Sequence, residues 1–485
     1  MNLKDSSLLR QACLIGGQWT EADDKSVIAV ANKATGETIG SVPGCGRAET
    51  ERAIAAACRA FPQWSAKTAK ERGRLLHAWH DLIVENIDDL ALILTSEQGK
   101  PLAEAKGEIM AGCSYIDWFA EEGRRAYGEI IPTPWPGKQP LVIRQPVGVA
   151  AAITPWNFPS SMITRKAAPA LAVGCPIIVK PASATPFSAL ALAVLAERAG
   201  IPAGIFSVIT GSAREIGDVL CQNPQVRALS FTGSTPVGKE LMARCAPTMK
   251  KLSFELGGNA PFILFRDGDM DAAVRQAVGC KFRNAGQTCI CVNRFLVESE
   301  IHDEFVGRLK AEAEKIVLGD GAKPGVTQGP LIDAKTPGFM RELLDDATAK
   351  GAAIVCGGKQ PALGGGFFEP TVVTGVTPQM RLFREEIFGP VAPVTMFSTE
   401  DEAVALANDT SYGLASYVFT RDLARMWRVA GRLEYGMVGA NETTLATGET
   451  PFGGVKESGL GREGGRQGLD EYLETKYILL GGLDG

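Results

Sequence analysis

The sequence predicts an α/β protein with two doubly wound, Rossmann-like domains in series. Short apolar strands alternate with helices in units of about 25 residues, which is typical of a parallel sheet covered by helices on both faces. This alternation runs from residue 146 to residue 255 and starts again after residue 269. The length of 485 residues also exceeds what one hydrophobic core supports, so at least two domains are expected.

Before the alternation, residues 1–45 predict short strands and turns. Three amphipathic helices are expected between Ala48 and Trp118, where apolar residues recur at helical spacing. Residues 128–145 place Pro and Gly at bend positions and predict a β-hairpin. Because a two-stranded hairpin is marginally stable by itself, it should pair with a further strand.

The first alternating region predicts five strands and four helices. The strands are expected at residues 146–153, 176–180, 204–209, 226–231 and 251–255, and the helices at 160–172, 184–199, 213–222 and 236–245. After Asp269, a helix to Phe282, a strand at 295–298 and a helix at 301–316 indicate a second α/β domain. The turn around Cys289 is expected to open that domain. Ligands of such sheets bind beyond the carboxyl ends of the strands.

Composition excludes several classes of function. The net charge of -5 and the lack of Lys/Arg runs argue against a nucleic-acid-binding face. No apolar stretch approaches the roughly 18 residues of a membrane span, and the N-terminus lacks the apolar region of a secretory signal. Eleven cysteines without a CxxC pair suit a reducing, cytoplasmic environment. With three histidines, neither a Ser-His-Asp triad nor a metal site is expected.

Two short segments offer the parts of a covalent acyl-transfer cycle. Cys289 lies in a Gly-Gln-Thr-Cys turn, and Glu255 stands where an apolar strand runs into Gly-Gly. A thiol becomes nucleophilic through a lowered pKa or an adjacent base. The thioester that it would form needs a base to activate water for its release. Cys289 and Glu255 are therefore the candidate nucleophile and base.

Two glycine-rich segments are candidates for binding phosphate. Gly459–Gly464 matches GxGxxG, but the helix, strand and acidic residue of a dinucleotide fingerprint have no room to follow it, so a turn is expected. FTGSTPVG, at residues 231–238, follows a strand and opens a helix, whose N-terminal N–H groups can face an anion. From this motif alone, an ordinary turn capped by Ser234 is favoured.

Seven motifs in order give the chain a family resemblance. They are TPWNFP (154–159), KPA (180–182), FTGS (231–234), ELGG (255–258), GQTC (286–289), EEIFGP (385–390) and PFGGVKESGLGRE (451–463). Over essentially its whole length the sequence resembles the aldehyde dehydrogenase superfamily, and within it the succinate-semialdehyde dehydrogenase branch.

The resemblance implies a division of the chain into domains. The dinucleotide-binding domain would comprise residues 1–124 and 146–256, and the catalytic domain residues 257–457. Residues 125–145 and 458–485 would form a small β oligomerisation element, in which the hairpin pairs with the C-terminal strand, on a neighbouring subunit. A homo-oligomer is expected, either a dimer or a homotetramer.

The resemblance also assigns catalytic roles. Cys289 would attack the aldehyde carbon, and the side-chain amide of Asn157 with the Cys289 backbone N–H would stabilise the resulting oxyanion. Glu255 would activate the water that hydrolyses the thioester. Glu463 is a second acid/base candidate, for which a loop salt bridge is an equal alternative.

The implied cofactor is NADP or NAD. Glu386 would hold the nicotinamide ribose, Phe388 would pack beside the ring and Lys180 would contact the adenosine ribose, with Trp156, Gly233 and Ser234 completing the cofactor site. NAD-selective members often carry Glu where this chain has Ser183, and a neutral serine near the Lys180 ammonium tolerates a 2'-phosphate. NADP acceptance is therefore predicted.

The implied substrate is an ω-carboxy aldehyde, with its carboxylate bound by Arg165 and Arg283. Succinate semialdehyde is the first choice. The loop before PFGG reads NETTLATGET, where close relatives carry a serine. Ala446 and Thr447 stand there, so Thr447 is a candidate carboxylate ligand and glutarate or 2-oxoglutarate semialdehyde remains an alternative.

Two further alternatives stay open. Cys291 could form a reversible disulfide with Cys289 or simply be a small buried side chain, although extended i, i+2 positions lie near the ~7 Å limit for a disulfide. A thiol acyltransferase or esterase would use Cys289 without a dinucleotide.

Overall fold

The computed structural model describes residues 1–483 of the chain. Its strands are β1 (Cys13–Ile15), β2 (Gln18–Thr20), β3 (Val27–Ala31), β4 (Thr38–Pro43), β5 (Glu129–Ile130), β6 (Gln139–Pro146), β7 (Val149–Ile153), β8 (Ile177–Lys180), β9 (Phe206–Val208), β10 (Val226–Thr232), β11 (Lys251–Glu255), β12 (Ala260–Leu264), β13 (Val292–Glu298), β14 (Ala353–Cys356), β15 (Thr371–Thr374), β16 (Val391–Phe397), β17 (Ala415–Phe419), β18 (Met437–Ala440), β19 (Gly459–Leu460) and β20 (Leu473–Leu480). Its helices are α1 (Arg47–Ser65), α2 (Ala69–Glu85), α3 (Ile87–Gln98), α4 (Leu102–Glu122), α5 (Ser161–Val173), α6 (Phe187–Arg198), α7 (Ala213–Gln222), α8 (Thr235–Cys245), α9 (Met270–Phe282), α10 (His302–Ala313), α11 (Thr336–Ala349), α12 (Arg381–Arg384), α13 (Glu400–Asn408) and α14 (Leu423–Arg432).

The first sheet confirms the predicted doubly wound architecture. Its strand order is β19-β11-β10-β7-β8-β9-β1-β2, and the five strands from β7 to β11 pair in parallel. All four residues of β8 are buried, as expected for a strand covered on both faces. Helix α5 ends at Gly174, which adopts a left-handed φ of 103°. The strand predicted at 146–153 is divided, because Pro146 ends β6 and β7 begins at Val149.

The second sheet has the order β14-β15-β16-β13-β12-β17-β18 and is parallel except between β14 and β15. Its strand β12 was not anticipated from the sequence. This strand pairs with both β13 and β17, so the sheet begins before the helix that follows Asp269. The expectation that the Cys289 turn opens the second domain is therefore wrong. The turn lies within that domain, between α9 and β13.

The N-terminal part contains four helices rather than the three predicted. The long apolar pattern between residues 72 and 99 is broken at Asn86, which separates α2 from α3. The Asn86 side-chain amide donates to the Leu82 carbonyl oxygen at 2.8 Å, and asparagine competes with helical backbone hydrogen bonds in this way. The last residue of α3, Gln98, then donates from its side chain to Asn284 Oδ1 at 2.8 Å.

The predicted hairpin finds its partner within the same chain. Strands β5 and β6 pair, and β6 pairs with β20 in antiparallel register from Leu473↔Pro146 to Leu480↔Gln139. The expected pairing of the hairpin on a neighbouring subunit is thus replaced by an intramolecular one. Its surface carries exposed apolar side chains, including Ile130 and Tyr477, which are 75% and 56% exposed.

The GxGxxG segment is also more than the turn that was expected. Gly459 and Leu460 form β19, which pairs with Glu255 and Phe254 at the edge of the first sheet. Across the described residues, no helix is long and apolar enough to cross a membrane.

Candidate active site

Glu255 is placed by the end of a central strand. It is the last residue of β11 and pairs with Thr232 of β10 on one side and Gly459 of β19 on the other. Its side chain is 2% exposed. Glu255 therefore stands at the carboxyl edge of the first sheet, where parallel sheets bind their ligands.

Cys289 follows a chain reversal built from unusual backbone angles. Asn284 and Ala285 adopt left-handed φ values of 52° and 54°, and Gly286 follows at 77°. A Cβ atom on Gly286 would lie 2.1 Å from the Gly389 carbonyl oxygen, so only glycine fits. The GQTC and EEIFGP motifs therefore pack directly against each other.

Gly257 and Gly258 allow the segment after Glu255 to lie close to the turn that carries Cys289. A Cβ atom on Gly258 would lie 2.4 Å from the Cys289 carbonyl oxygen, and one on Gly257 would lie 2.7 Å from Glu386 Oε2. The Gly258 N–H donates to Glu386 Oε1 at 3.0 Å. The ELGG motif thus lets the backbone lie close to both the catalytic turn and a third carboxylate.

Cys289 lines two cavities. The glutamate cavity, of about 240 Å³, is also lined by Glu255, Asn157, Glu386 and Phe388. The arginine cavity, of about 310 Å³, is also lined by residues from α4, α5 and the loop before Phe452. A group bound in either cavity can therefore reach the same sulfur atom.

Two carboxylates and two cations form a buried network behind Cys289. Arg165 Nε lies 2.5 Å from Glu463 Oε2, and its Nη2 lies 3.9 Å from Glu255 Oε2. Lys166 Nζ donates to Glu463 and, at 2.9 Å, to the hydroxyl of Ser230. All four charged side chains are less than 10% exposed. Glu463 is thus buried in an ion-pair network, and it does not form a surface-loop salt bridge.

This network sets the proton affinities around the sulfur atom. Burial raises the pKa of Glu255 to about 7, while the Arg165 charge opposes the rise and the Glu463 charge adds to it. Burial also raises the pKa of Cys289 well above its ordinary value, and the Glu255 charge raises it further. Of the two routes to a nucleophilic thiol, the structure therefore offers an adjacent base. A carboxylate with a pKa near 7 is well matched to proton transfer at neutral pH.

Asn157 is tied to the turn before Cys289 by its side-chain amide and by its backbone carbonyl oxygen. It follows β7, and its Nδ2 donates to the Gln287 carbonyl oxygen at 3.0 Å. Asn284 Nδ2 donates in turn to the Asn157 carbonyl oxygen at 3.0 Å. Because an amide nitrogen carries two N–H groups, one is left for a ligand atom in the glutamate cavity.

Five of the residues predicted to bind a cofactor line the glutamate cavity: Trp156, Gly233, Ser234, Glu386 and Phe388. The rings of Trp156 and Phe388 meet edge-on at 5.5 Å, and burial raises the pKa of Glu386 to about 7. Lys180 and Ser183 do not line this cavity. Lys180 is buried at the end of β8, where burial lowers its pKa to about 8, and the exposed Ser183 donates to the Gly211 carbonyl oxygen at 3.5 Å.

Two of the three residues predicted to bind the substrate line the arginine cavity, and the third does not. Arg165 and Arg283 both line the arginine cavity, whereas Thr447 does not. The Thr447 hydroxyl donates to the Glu449 carboxylate, and Thr444 and Ala446 are the loop residues that line the cavity. The expectation for Thr447 is corrected accordingly, because the loop turns its neighbours toward the cavity instead.

Cys291 lines neither of the two cavities. Its thiol is buried and donates to the carbonyl oxygens of Lys281 at 3.5 Å and Val292 at 3.4 Å. Burial raises the pKa of Cys291 to about 11. A disulfide with Cys289 would require these hydrogen bonds to break.

Comparison with known proteins agrees with this geometry. The family model described as "Aldehyde dehydrogenase family" matches residues 19–478. The chain belongs to the aldehyde dehydrogenase family. The two α/β sheets are thus those of the aldehyde dehydrogenase fold.

Several aldehyde dehydrogenases are similar to the chain over essentially its full length. A glutarate-semialdehyde dehydrogenase of Pseudomonas aeruginosa is 58% identical, with 100% of both chains covered. The NADP-dependent succinate-semialdehyde dehydrogenase GabD of Escherichia coli is 54% identical over 99% of this chain and 100% of its own. The crystal structure of a succinate-semialdehyde dehydrogenase from Burkholderia pseudomallei superposes with a TM-score of 0.98 at 56% identity, covering 99% and 100% of the two chains.

Some residues of this aldehyde dehydrogenase site were not singled out from the sequence. Lys166 and Ser230 complete the network around Glu463, and Thr444 takes the cavity position expected for Thr447. A signal existed for Lys166, because α5 is otherwise uncharged and mostly apolar and contains two adjacent cations, Arg165 and Lys166. Buried charges inside an apolar helix require partners. For Ser230, no sequence signal separates it from its buried neighbours in β10.

Proposed function

We propose that the chain oxidises an ω-carboxy aldehyde to the dicarboxylic acid with NADP or NAD, and that succinate semialdehyde is its main substrate. The observation that carries the proposal is the position of Cys289, which lines both the arginine cavity and the glutamate cavity. An aldehyde whose carboxylate is held in the first cavity would place its carbonyl carbon at the sulfur atom. The base for both proton transfers lies in the second cavity.

Cys289 is the nucleophile in this proposal. Glu255 accepts the thiol proton, and the thiolate adds to the aldehyde carbon to give a thiohemiacetal. The free N–H of the Asn157 amide and the Cys289 backbone N–H stabilise the oxyanion. Removal of one such donor typically costs about 3 kcal/mol of barrier.

The glutamate cavity fits the nicotinamide end of a dinucleotide. Thr232 Oγ1, which borders this cavity, is buried and has no hydrogen-bond partner within residues 1–483. Ser234 occupies the N-cap of α8 without a side-chain capping bond, so the N-terminal N–H groups of the helix suit a phosphate group. When bound, the nicotinamide supplies the hydride acceptor for the oxidation. Glu386 would hold its ribose, Trp156 and Phe388 its ring, and Gly233 with Ser234 the phosphates.

After it has released the thiol proton to solvent, Glu255 serves a second time as a base. It activates the water that hydrolyses the Cys289 thioester, and a pKa near 7 suits that role at neutral pH. Its presence favours hydrolysis over transfer of the acyl group to a second thiol. Glu463 pairs with Arg165 and Lys166, and its negative charge helps to raise the pKa of Glu255.

The arginine cavity selects the substrate by charge. Arg283 has its guanidinium 5.6 Å from the centre of the Phe158 ring, and we assign it as the main carboxylate ligand because Arg165 is already paired with Glu463. Arg165 contributes a second positive charge, and the Thr444 hydroxyl supplies a hydrogen bond. The small side chain of Ala446 leaves room for a longer chain, which favours glutarate semialdehyde as the second candidate substrate, with 2-oxoglutarate semialdehyde as a further alternative.

Ser183 and Lys180 set the cofactor preference in this proposal. Because Ser183 is neutral, it does not repel a 2'-phosphate. Lys180 would contact the adenosine ribose, beyond the nicotinamide end of the cofactor. We therefore expect NADP to be accepted alongside NAD.

The proposed domains follow the three larger sheets except at β19, which lies within residues 458–485 but pairs with β11 of the first sheet. Residues 1–124 and 146–256 would bind the dinucleotide, residues 257–457 would form the catalytic domain, and residues 125–145 with 458–485 the oligomerisation element. The exposed apolar face of β5, β6 and β20 supports a homo-oligomer, a dimer or a homotetramer. Cysteines without framework spacing support a cytoplasmic location.

The test is a screen of cofactor reduction at 340 nm over ω-carboxy aldehydes of increasing length, with butyraldehyde as the uncharged control. The expected result is reduction of NADP or NAD with kcat/KM highest for the four- or five-carbon semialdehydes and at least tenfold lower for butyraldehyde. Equal activity on butyraldehyde would refute the charge-selecting cavity. Ester or acyl transfer without any change at 340 nm would indicate a thiol acyltransferase or esterase instead.

A further inference from the structure

Lys100 and Glu108 form a buried ion pair that lines the arginine cavity. Lys100 Nζ lies 2.6 Å from Glu108 Oε2, and both side chains are 1% exposed. Lys100 stands in the short connection between α3 and α4, and Glu108 lies within α4. Neither residue belongs to a motif that the proposed reaction uses.

The pair is attached to the segment that carries the oxyanion amide. Lys100 Nζ donates to the Asn157 carbonyl oxygen at 2.8 Å and lies 3.9 Å from the centre of the Phe158 ring. Glu108 Oε1 accepts from the backbone N–H groups of Ser160 at 2.9 Å and Ser161 at 3.2 Å. The two charges therefore hold both ends of residues 157–161.

The same connection reaches the turn before Cys289. Gln98 Nε2 donates to Asn284 Oδ1 at 2.8 Å, and the Asn284 backbone N–H donates to a Glu104 carboxylate oxygen at 2.7 Å. Asn284 Nδ2 donates to the Asn157 carbonyl oxygen, the atom that also accepts from Lys100. The connection between α3 and α4 and the residues that flank it are thus hydrogen-bonded both to the segment that carries Asn157 and to the turn before Cys289.

A gain in folding stability is a weak explanation for burying the Lys100–Glu108 ion pair. Removing two charges from water costs several kcal/mol each, and buried ion pairs often stabilise a fold no better than apolar side chains of similar size. A precise position for a catalytic donor is a better account, because a displacement of about 1 Å can cost a hundredfold in rate.

We propose that Lys100 and Glu108 are positioning residues that fix the Asn157 amide for stabilisation of the oxyanion at Cys289. Neither touches the reacting atoms. Lys100 acts through the carbonyl of Asn157, and Glu108 acts by orienting Lys100 and the first turn of α5. The proposal rests on the proposed function, specifically on the role of Asn157.

The experiment compares Lys100→Met, Glu108→Gln and Asn157→Ala in the full-length protein. Lys100→Met should lower kcat at least tenfold, whereas KM for the cofactor stays within about twofold, because the donor is displaced and the nucleotide site is intact. Alkylation of Cys289 by iodoacetamide develops no oxyanion, so its rate should stay within twofold of the wild-type rate.

Lys250→Met is the matched control. Lys250 is another buried lysine, and its Nζ donates to three backbone carbonyl oxygens, those of Leu220, Asn223 and Val226, far from Cys289. Its replacement should lower the melting temperature without lowering kcat. If Lys100→Met does not fold, Glu108→Gln serves in its place, since the amide oxygen still accepts from Ser160 and Ser161.

The double variant separates the possible failures. Lys100→Met combined with Asn157→Ala should be no slower than Asn157→Ala alone, because both act through one donor. Additive losses, or an unchanged kcat in Lys100→Met beside a hundredfold loss in Asn157→Ala, would overturn the positioning proposal and leave the proposed function intact. An unchanged kcat in Asn157→Ala would instead refute the oxyanion role in the proposed function.

Discussion

Arg165 Nη2 lies 3.9 Å from Glu255 Oε2, while Nε of the same guanidinium lies 2.5 Å from Glu463 Oε2. One buried cation is therefore shared by two carboxylates with different proton affinities. Burial and the neighbouring charges leave the pKa of Glu255 at about 7, whereas Arg165 and Lys166 outweigh burial and hold that of Glu463 below its usual value. Glu255 can exchange a proton near neutral pH because Glu463 takes most of the positive charge.

This sharing predicts opposite pH shifts in two variants. The Arg165 charge lowers the pKa of Glu255, so Arg165→Met should move the rising limb of thioester hydrolysis from about pH 7 to higher pH, by about one unit or more. Glu463→Gln removes a negative charge and should move the same limb to lower pH. The rate at which acylated enzyme loses its acyl group, followed between pH 5 and 9, measures both. Shifts in the same direction would contradict the shared-cation arrangement.

Arg283 should control discrimination by charge. Arg283→Met removes the cation that is free of Glu463, and loss of a charged hydrogen bond of about 1.5–3 kcal/mol corresponds to a ten- to hundredfold lower kcat/KM for ω-carboxy aldehydes. Activity on butyraldehyde should change less than threefold. Arg275→Met, an exposed arginine on α9 that does not line the cavity, is the control. Equal losses on both substrates would argue against a carboxylate ligand.

Replacement of the two threonines in the loop before Phe452 should have different effects on kcat/KM. Thr444 lines the arginine cavity, so Thr444→Val should lower kcat/KM for succinate semialdehyde about three- to tenfold through the loss of one hydrogen bond. Thr447 is bonded to Glu449, so Thr447→Val should stay within twofold. The reverse order of effects would restore Thr447 as the substrate ligand.

Ser183 should govern the choice between NADP and NAD. Ser183→Glu introduces a carboxylate that repels a 2'-phosphate, and kcat/KM for NADP should fall at least tenfold while that for NAD is kept. Ser183→Gln has nearly the same size without the charge and should change the ratio less than threefold. Strong preference of the wild-type protein for NAD would overturn NADP acceptance itself.

Cys291 should matter for oxidation and not for turnover. Cys291→Ala should keep kcat within twofold, because its thiol lines neither cavity. If a Cys289–Cys291 disulfide forms under peroxide, inactivation of the wild-type protein is reversed by dithiothreitol, and this reversible fraction disappears in Cys291→Ala. Persistence of the reversible fraction in the variant would assign it to Cys289 sulfenic acid or another thiol.

Local sequence signals predicted the helices and strands whose ends are marked by capping or turn residues. Helix α7 and strand β11 were placed to the residue, and the helix after Asp269 begins where the Asp269 side chain accepts from the Ala272 N–H. Strand β12 was missed, although Ala260–Leu264 is an apolar run, because no helix separates it from β11 as the alternation of strands and helices would require. The break at Asn86 was missed because apolar spacing continues on both sides of it.

The site could be predicted only where a residue belongs to a short motif of its own. Glu255, Asn157 and Cys289 each lie in a short motif, whereas the partners of the buried charges do not. Lys100 is 57 residues from Asn157, and Lys166 is 297 residues from Glu463. No periodicity or local spacing encodes such contacts, since they arise from packing of separate elements.

The wide separation of Lys166 and Glu463 bears on how the chain reaches its native state. Contacts between residues so distant in sequence carry a large loop-closure cost and form late in folding. After dilution from denaturant, helical ellipticity should therefore recover before turnover does. A population with native secondary structure but without this contact would lack the charges that set the pKa of Glu255 and would remain catalytically silent.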